Sequence, residues 1–169
     1  QKLKDVKLPN GIIEIGDYAF YKSSGIQSFT IGDNVTRIGH YAFANCTALS
    51  EIALPDGLKM IGDSAFSTTA LTAIVIPDSV TTLQSAFRFC DNFKTLTLGK
   101  GVKVFQCLAN CIGIESYVIP KTVTSIGTEA FSGCVNLLEV TIPDTVTSIG
   151  DSAFKNVALT MVKFNNNRA

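Results

Sequence analysis

Residues 123–131 read VTSIGTEAF and residues 146–154 read VTSIGDSAF, with seven of nine letters shared at an offset of 23 residues. Self-similarity at that spacing marks a stacked-repeat architecture, and it constrains the fold more than any bulk property. Aligned on the Ala-Phe pair, the phrase recurs at Phe20, Phe43, Phe66, Phe87, Phe131 and Phe154, at intervals of 23, 23, 21, 44 and 23. Leu108 fills the double interval, three residues ahead of Cys111, as Phe43, Phe87 and Phe131 precede Cys46, Cys90 and Cys134. Seven units of 21–23 residues therefore run through a single solenoid over residues 1–169.

After each anchor comes a segment with apolar residues at its first, fourth and sixth positions. It appears as Ile26/Phe29/Ile31, Leu49/Ile52/Leu54, Leu71/Ile74/Ile76, Phe93/Leu96/Leu98, Ile114/Tyr117/Ile119, Leu137/Val140/Ile142 and Leu159/Val162/Phe164, with Leu3/Val6/Leu8 as an eighth copy. The last two apolar positions stand two apart, which is strand periodicity, and the segments are too short and too β-branched for helices. Pro9, Pro55, Pro77, Pro120 and Pro143 share one slot after the strand, with Gly32 and Gly99 in two others; proline ends a ladder and glycine permits the turn. A V-x-x-I-G phrase follows, as in Val123/Ile126/Gly127, and then a polar-Ala-Phe piece such as Asp63-Ser64-Ala65-Phe66. This last piece reads as a capped single turn of helix or 3-10 helix.

The predicted fold is a repeat solenoid of leucine-rich-repeat type. It has eight short parallel strands, with turns and short 3-10 or helical pieces on the opposite side. Each unit has an apolar side that only the next unit can cover, so stability is close to a sum of neighbour interfaces. Units four and five lack the glycine slot, since Leu83 runs directly to Gln84 and Phe105 to Gln106, and a local flattening or bend is expected there. Fourteen basic residues balance fourteen acidic ones, so no net charge draws the chain to nucleic acid or to an anionic membrane. No apolar run approaches the roughly 20 residues of a membrane span, and direct membrane insertion is not expected.

The run VTSIGTEAFSGCVNLLEVTIP (123–143) resembles the BspA-like branch of leucine-rich repeats, whose unit reads approximately IPxxVTxIGxxAFxxCxxLxxI. The resemblance covers residues 3 to 164. It implies a surface or secreted protein of bacterial type, associated with adhesion to host matrix or to other cells. The family carries no shared catalytic residues, so it implies no enzyme and no cofactor.

The residues with reactive side chains fit their repeat slots. Cys46, Cys90, Cys111 and Cys134 share one slot, and Cys107 replaces the alanine before an anchor, so all five read as small buried residues in a ladder of free thiols. The one close pair, Cys107-x-x-x-Cys111, has no histidine cluster beside it, which argues against zinc. His40, the lone histidine, holds the slot of Asp17, Asp63 and Asp151 and reads as a solvated cap; nothing marks an orienting acid for a triad. Asp56, Asp78 and Asp144 read as turn formers. Asn34-Val35-Thr36 and Asn45-Cys46-Thr47 match the glycosylation sequon, a match short enough to arise by chance.

Two surfaces carry candidate binding residues. Tyr18 and Tyr41 occupy one slot on adjacent rungs where other units hold Ser, Gln or Glu, and Tyr21 and Phe89 also fall in slots otherwise polar or small. Aromatics out of pattern on a repeat surface point to recognition. The second surface is the outward row of the strand sheet, Lys7, Thr30, Ala53, Val75, Thr97, Val118, Thr141 and Lys163, uncharged in its middle and apolar around Ala73 and Val75. The expected function is a non-enzymatic, extracellular or cell-surface interaction module that binds a protein or glycan ligand on a host or neighbouring cell; the alternative is a structural spacer within a larger surface protein. The first strand and the NNNRA end show no capping segment. A fragment of a longer array is therefore expected, or end-to-end self-association through the open rungs.

Overall fold

The computed structural model describes residues 4–165 and is a parallel β-solenoid of about seven turns. Leu3 and the residues after Asn165 lie outside the described residues. The eight expected strands are β1 (Asp5–Lys7), β3 (Ser28–Thr30), β5 (Glu51–Ala53), β7 (Ala73–Val75), β9 (Thr95–Thr97), β11 (Ser116–Val118), β13 (Glu139–Pro143) and β15 (Met161–Asn165). Every pairing among them is parallel, one unit to the next, as in Val6↔Phe29↔Ile52 and Tyr117↔Val140↔Val162. The middle residue of each three-residue strand points into the coil and its neighbours point out, as the two-residue period requires.

A second row of strands was not foreseen. The V-x-x-I-G phrases and their glycine-less counterparts in units four and five form β2 (Glu14–Ile15), β4 (Arg37–Ile38), β6 (Met60–Ile61), β8 (Thr82–Leu83), β10 (Val104–Phe105), β12 (Ser125–Ile126) and β14 (Ser148–Ile149). Ile38, Ile61 and Ile126 deliver their side chains from this sheet to the core.

The polar-Ala-Phe pieces correct the expectation of short helices. No helix occurs among the described residues, because the segment contains a left-handed residue two places before the anchor and another two places after it. The first set is Tyr18, Tyr41, Ser64, Glu129 and Ser152; the second is Lys22, Asn45, Thr68, Phe89, Asn110, Gly133 and Asn156, with φ between 53° and 74°. A right-handed turn cannot propagate through such residues. The backbone bonds outward instead: Phe20, Phe43, Phe66, Phe87, Leu108 and Phe131 each donate their N–H to the carbonyl before the next unit's anchor. This turn ladder is unbroken through all seven units.

The sheets are not. No backbone hydrogen bond joins β5 to β7, β8 to β10 or β9 to β11. The last two gaps fall between units four and five, where the sequence is short. From the inward residue of the second sheet to the anchor, Ile61 to Phe66 spans five positions, Leu83 to Phe87 four and Phe105 to Leu108 three. A rung so shortened cannot keep the turn ladder and the sheet ladder both in register. Phe87 N–H to Cys107 O at 3.2 Å and Leu108 N–H to Ala130 O at 3.1 Å show that the turn ladder prevails.

The core is a column of rings. Phe20, Phe43, Phe66 and Phe87 stack in succession with centroids 5.3–5.5 Å apart and nearly parallel planes. Leu108 interrupts the column, and three slots nearby are enlarged to compensate. Phe93 stacks on Phe87, Phe105 on Phe131, and Tyr117 packs against both Phe105 and Phe131. The same slots hold Leu71, Leu83 and Leu96 in other units. The Tyr117 hydroxyl donates to the Leu96 carbonyl at 3.1 Å, bridging β9 and β11 where no ladder bond does. Outside, Arg88 Nη2 meets Glu129 Oε2 at 2.9 Å, a pair 41 residues apart that straps unit four to unit six across the shortened turn.

Candidate functional site

The thiol column has a structural use. Cys46, Cys90, Cys111 and Cys134 donate S–H to the anchor carbonyls of the preceding unit, Phe20, Phe66, Phe87 and Leu108, at 2.9–3.1 Å. All five cysteines are free and buried. Burial raises each thiol above its ordinary value, Cys134 to about 11 and Cys111 well up, so they stay protonated donors. Among the described residues no group of three or more His, Cys, Asp and Glu side chains is placed to hold a metal ion.

His40 is half-buried rather than a solvated cap. Its Nδ1 accepts the Asp63 backbone N–H at 3.0 Å, just as Asp17 Oδ1 accepts the His40 N–H at 2.9 Å. The slot therefore caps the next rung. The Asp17 carboxyl is lowered chiefly by that His40 N–H, then by its bond to Arg37. Asn34, in the first sequon, is exposed and donates to Asn10 O at 2.7 Å, while the second sequon's Asn45 is held in a left-handed turn.

The structure gathers three of the four out-of-pattern aromatics. Tyr18 and Tyr41 stack face to face at 5.1 Å with planes 6° apart, and Tyr21 stands edge-on to Tyr18 at 5.6 Å. Tyr18 is 55% exposed, against the complete burial of the anchors Phe43, Phe66, Phe87 and Phe131. Of the four tyrosines only Tyr117 hydrogen-bonds through its hydroxyl to another described residue; the phenol hydroxyls of the cluster do not. Lys22, which the sequence did not single out, holds its Nζ over the Tyr21 ring at 5.1 Å. Phe89, 49% exposed, lies two units or more along the turn face and joins no aromatic pair. Tyr18, Tyr41 and Phe89 all occupy left-handed slots, at φ 59°, 54° and 58°. Bulky side chains are outliers there, whereas Asn and Gly are the ordinary occupants.

The outward sheet row is exposed at Ala53, Ala73, Val75, Thr97 and Val118, while Thr141, between Val118 and Lys163 in register, is covered. A shallow depression of about 440 Å³ lies over the gap between β5 and β7, floored by Ile52 and Ile74 and edged by Ala53, Ala73, Val75 and Thr97. Its low walls come from the two alanines. The Tyr cluster and this depression stand on different faces of the coil, turn side and sheet side.

The BspA-type leucine-rich repeat model matches residues 1–94 and 104–169 in six copies. The interruption, residues 95–103, lies between the two shortened turns. Among solved structures the chain is similar to a leucine-rich repeat protein from Bacteroides ovatus, at 29% identity and TM-score 0.87, over 94% of this chain and 42% of that one. It is similar also to a leucine-rich repeat protein of T. pallidum, at 30% identity and TM-score 0.76, covering 89% and 74%. A leucine-rich cell surface protein from Faecalibacterium prausnitzii matches at 26% identity and TM-score 0.65, over 98% and 61%. The chain thus spans less than half of the B. ovatus protein's length. No curated protein matches it. Family model, parallel coil and recurrent Ala-Phe turn agree, and the chain belongs to the BspA-type leucine-rich repeat family.

Proposed function

We propose that this solenoid is a non-enzymatic recognition segment of a bacterial surface or secreted protein, working by contact between its outer surface and a ligand on a host or neighbouring cell. The observation that carries the reading is the placement of Tyr18, Tyr41 and Phe89. The left-handed backbone of these slots belongs to the repeat, and the repeat needs no aromatic in them, since Ser64, Ser152 and Asn110 serve equally well. Tyr18 and Phe89 are exposed and Tyr41 is half-buried, and aromatics out of pattern on a repeat surface are found where that surface meets a partner. Membership in a family whose neighbours include a cell surface protein supports the location.

The test is adhesion. Beads coated with wild-type chain, with Y18S/Y41S/F89N, and with A73E/V75E are compared for capture of host cells and of matrix proteins. Loss in the first variant places recognition on the turn side, and loss in the second places it on the sheet. Equal capture by all three leaves the spacer role, in which the segment only holds other domains away from the wall.

A further inference from the structure

We propose that the split between β5 and β7 receives an extended polypeptide segment of a protein partner, which lies in the sheet as a guest strand. The inference goes beyond the recognition reading above, since it concerns the sheet face and uses none of the aromatics. Both strands lie inside the coil, β5 laddered on its far side to β3 and β7 on its far side to β9. Backbone alternation decides which groups face the split. Glu51 N–H goes to Gln27 O and Thr95 N–H to Thr72 O, so Glu51 and Ala53 bond away from the split, as do Thr72 and Ile74. Facing it are the Ser50 carbonyl, both backbone groups of Ile52, the Leu54 N–H, and both groups of Ala73 and Val75. Among the described residues no hydrogen bond meets any of them. Between β9 and β11, by contrast, the Tyr117 hydroxyl fills in. An unpaired strand edge is a template for another chain, and here two such edges face each other. A helix or a sugar does not present donors and acceptors alternately to both sides in one plane, whereas an extended backbone does.

A guest strand needs two strand spacings between its neighbours, about 9.6 Å. The other two sides of this winding stay closed: Phe43 N–H bonds Ala65 O at 2.8 Å in the turn, and β6 pairs with β8. They form the hinge about which the sheet side widens. The thiol column, which ties other windings together, does not cross this junction. Thr69 holds the cysteine slot here and donates to Phe66 O of its own unit at 2.9 Å. The depression of about 440 Å³ over the split already reaches the inward residues Ile52 and Ile74. Guest residues that point inward meet those two isoleucines. Residues that point outward stand between Ala53 and Ala73, whose methyl groups leave room for large side chains. The partner segment is therefore extended, with apolar residues at alternate positions.

Backbone pairing is nearly blind to side chains, so a strand of this chain's own sequence is a sufficient probe. A fluorescein-labelled peptide copying residues 93–99, FKTLTLG, is titrated against the 169-residue chain and followed by anisotropy. The expected result is saturable binding, weakened about tenfold when the peptide is N-methylated at alternate residues and loses its donors to one edge. Hydrogen exchange at Ile52, Leu54, Ala73 and Val75 slows about tenfold or more in the complex. Ala53→Cys/Val75→Cys sets a cysteine on each side of the split, and a disulfide there holds the Cα atoms within about 6.8 Å and shuts out a guest. Oxidised with diamide, this variant loses binding; reduced, it regains it, so a folding defect cannot imitate the result. Val75→Pro deletes an open N–H without breaking a bond, keeps its melting curve and binds about tenfold more weakly. Y18S/Y41S/F89N binds the peptide as wild type does, whatever its effect on cell capture. Absence of saturable binding overturns the proposal and leaves water alone in the split. Equal binding by the oxidised and reduced double-cysteine protein, or loss of binding in Y18S/Y41S/F89N, overturns it as well.

Discussion

Tyr117→Phe tests the account of the junction between units four and five. The substitution leaves the ring against Phe105 and Phe131 and removes only the hydroxyl that donates to the Leu96 carbonyl at 3.1 Å. Both Tyr117 and Leu96 are buried, and no strand ladder joins β9 to β11. Leu96 O therefore becomes a buried acceptor without its donor, at a cost of about 1–3 kcal/mol. For a chain of this size 1 kcal/mol moves Tm by roughly 2–4 °C, so the midpoint of the expected range is a fall of about 4–8 °C. Urea and thermal unfolding followed by far-ultraviolet dichroism measure it. Tyr21→Phe, which removes an exposed hydroxyl, is the control and stays within about 0.5 kcal/mol of wild type. Equal stability of Tyr117→Phe and wild type would refute the claim that this hydroxyl stands in for a missing rung of hydrogen bonds.

Hydrogen exchange should rank the two ladders: the amides of Phe87 and Leu108 in the turn ladder outlast those of Val104–Phe105 and Ser116–Val118 by about tenfold or more, because the latter flank the unzipped sheets. Gly133→Ala lowers stability by roughly 1–2 kcal/mol in urea melts, since φ is +74° and a Cβ would run into Asn110 Oδ1. The Cys134 thiol is pushed up to about 11 by burial, above its unfolded value of about 8.5. Its contribution to stability is thus complete below the unfolded value and is lost as pH rises through the folded one, so urea midpoints fall between pH ~8.5 and ~11. Cys134→Ser, which does not titrate there, shows a shallower alkaline decline, and parallel curves for the two proteins would contradict the assignment.

Much of this was readable from residue order. Ile26/Phe29/Ile31 and its seven counterparts alternate over enough positions to declare a strand and its inward face. The second sheet was harder, because two residues such as Arg37–Ile38 show no alternation; the regular isoleucine before each Gly16, Gly39 and Gly62 was the available signal. Asp63-Ser64-Ala65-Phe66 imitates the opening of a capped helix, and nothing in Ser or Glu announces a left-handed backbone at φ 53° or 56°. That conformation is imposed by bonding to the adjacent rung, a tertiary effect. The tyrosines betrayed themselves by breaking a column of polar letters, yet their stacking with each other, and the position of Lys22 over Tyr21, depended on geometry between rungs. The loss of residues before Phe87 and Leu108 was visible as a gap in an alignment. That Phe93, Phe105 and Tyr117 converge to fill the resulting space was not, since they are scattered over 25 positions.

The unbroken turn ladder bears on how such a coil can vary. Because every winding is indexed to the next at its anchor, a residue dropped elsewhere in one winding shifts that winding alone, and the phase is restored at the following Ala-Phe step. Length errors do not accumulate along the axis. Loops on the opposite sides are then free to drift in size and chemistry from one winding to another, while the spacing between surface features on neighbouring windings stays constant.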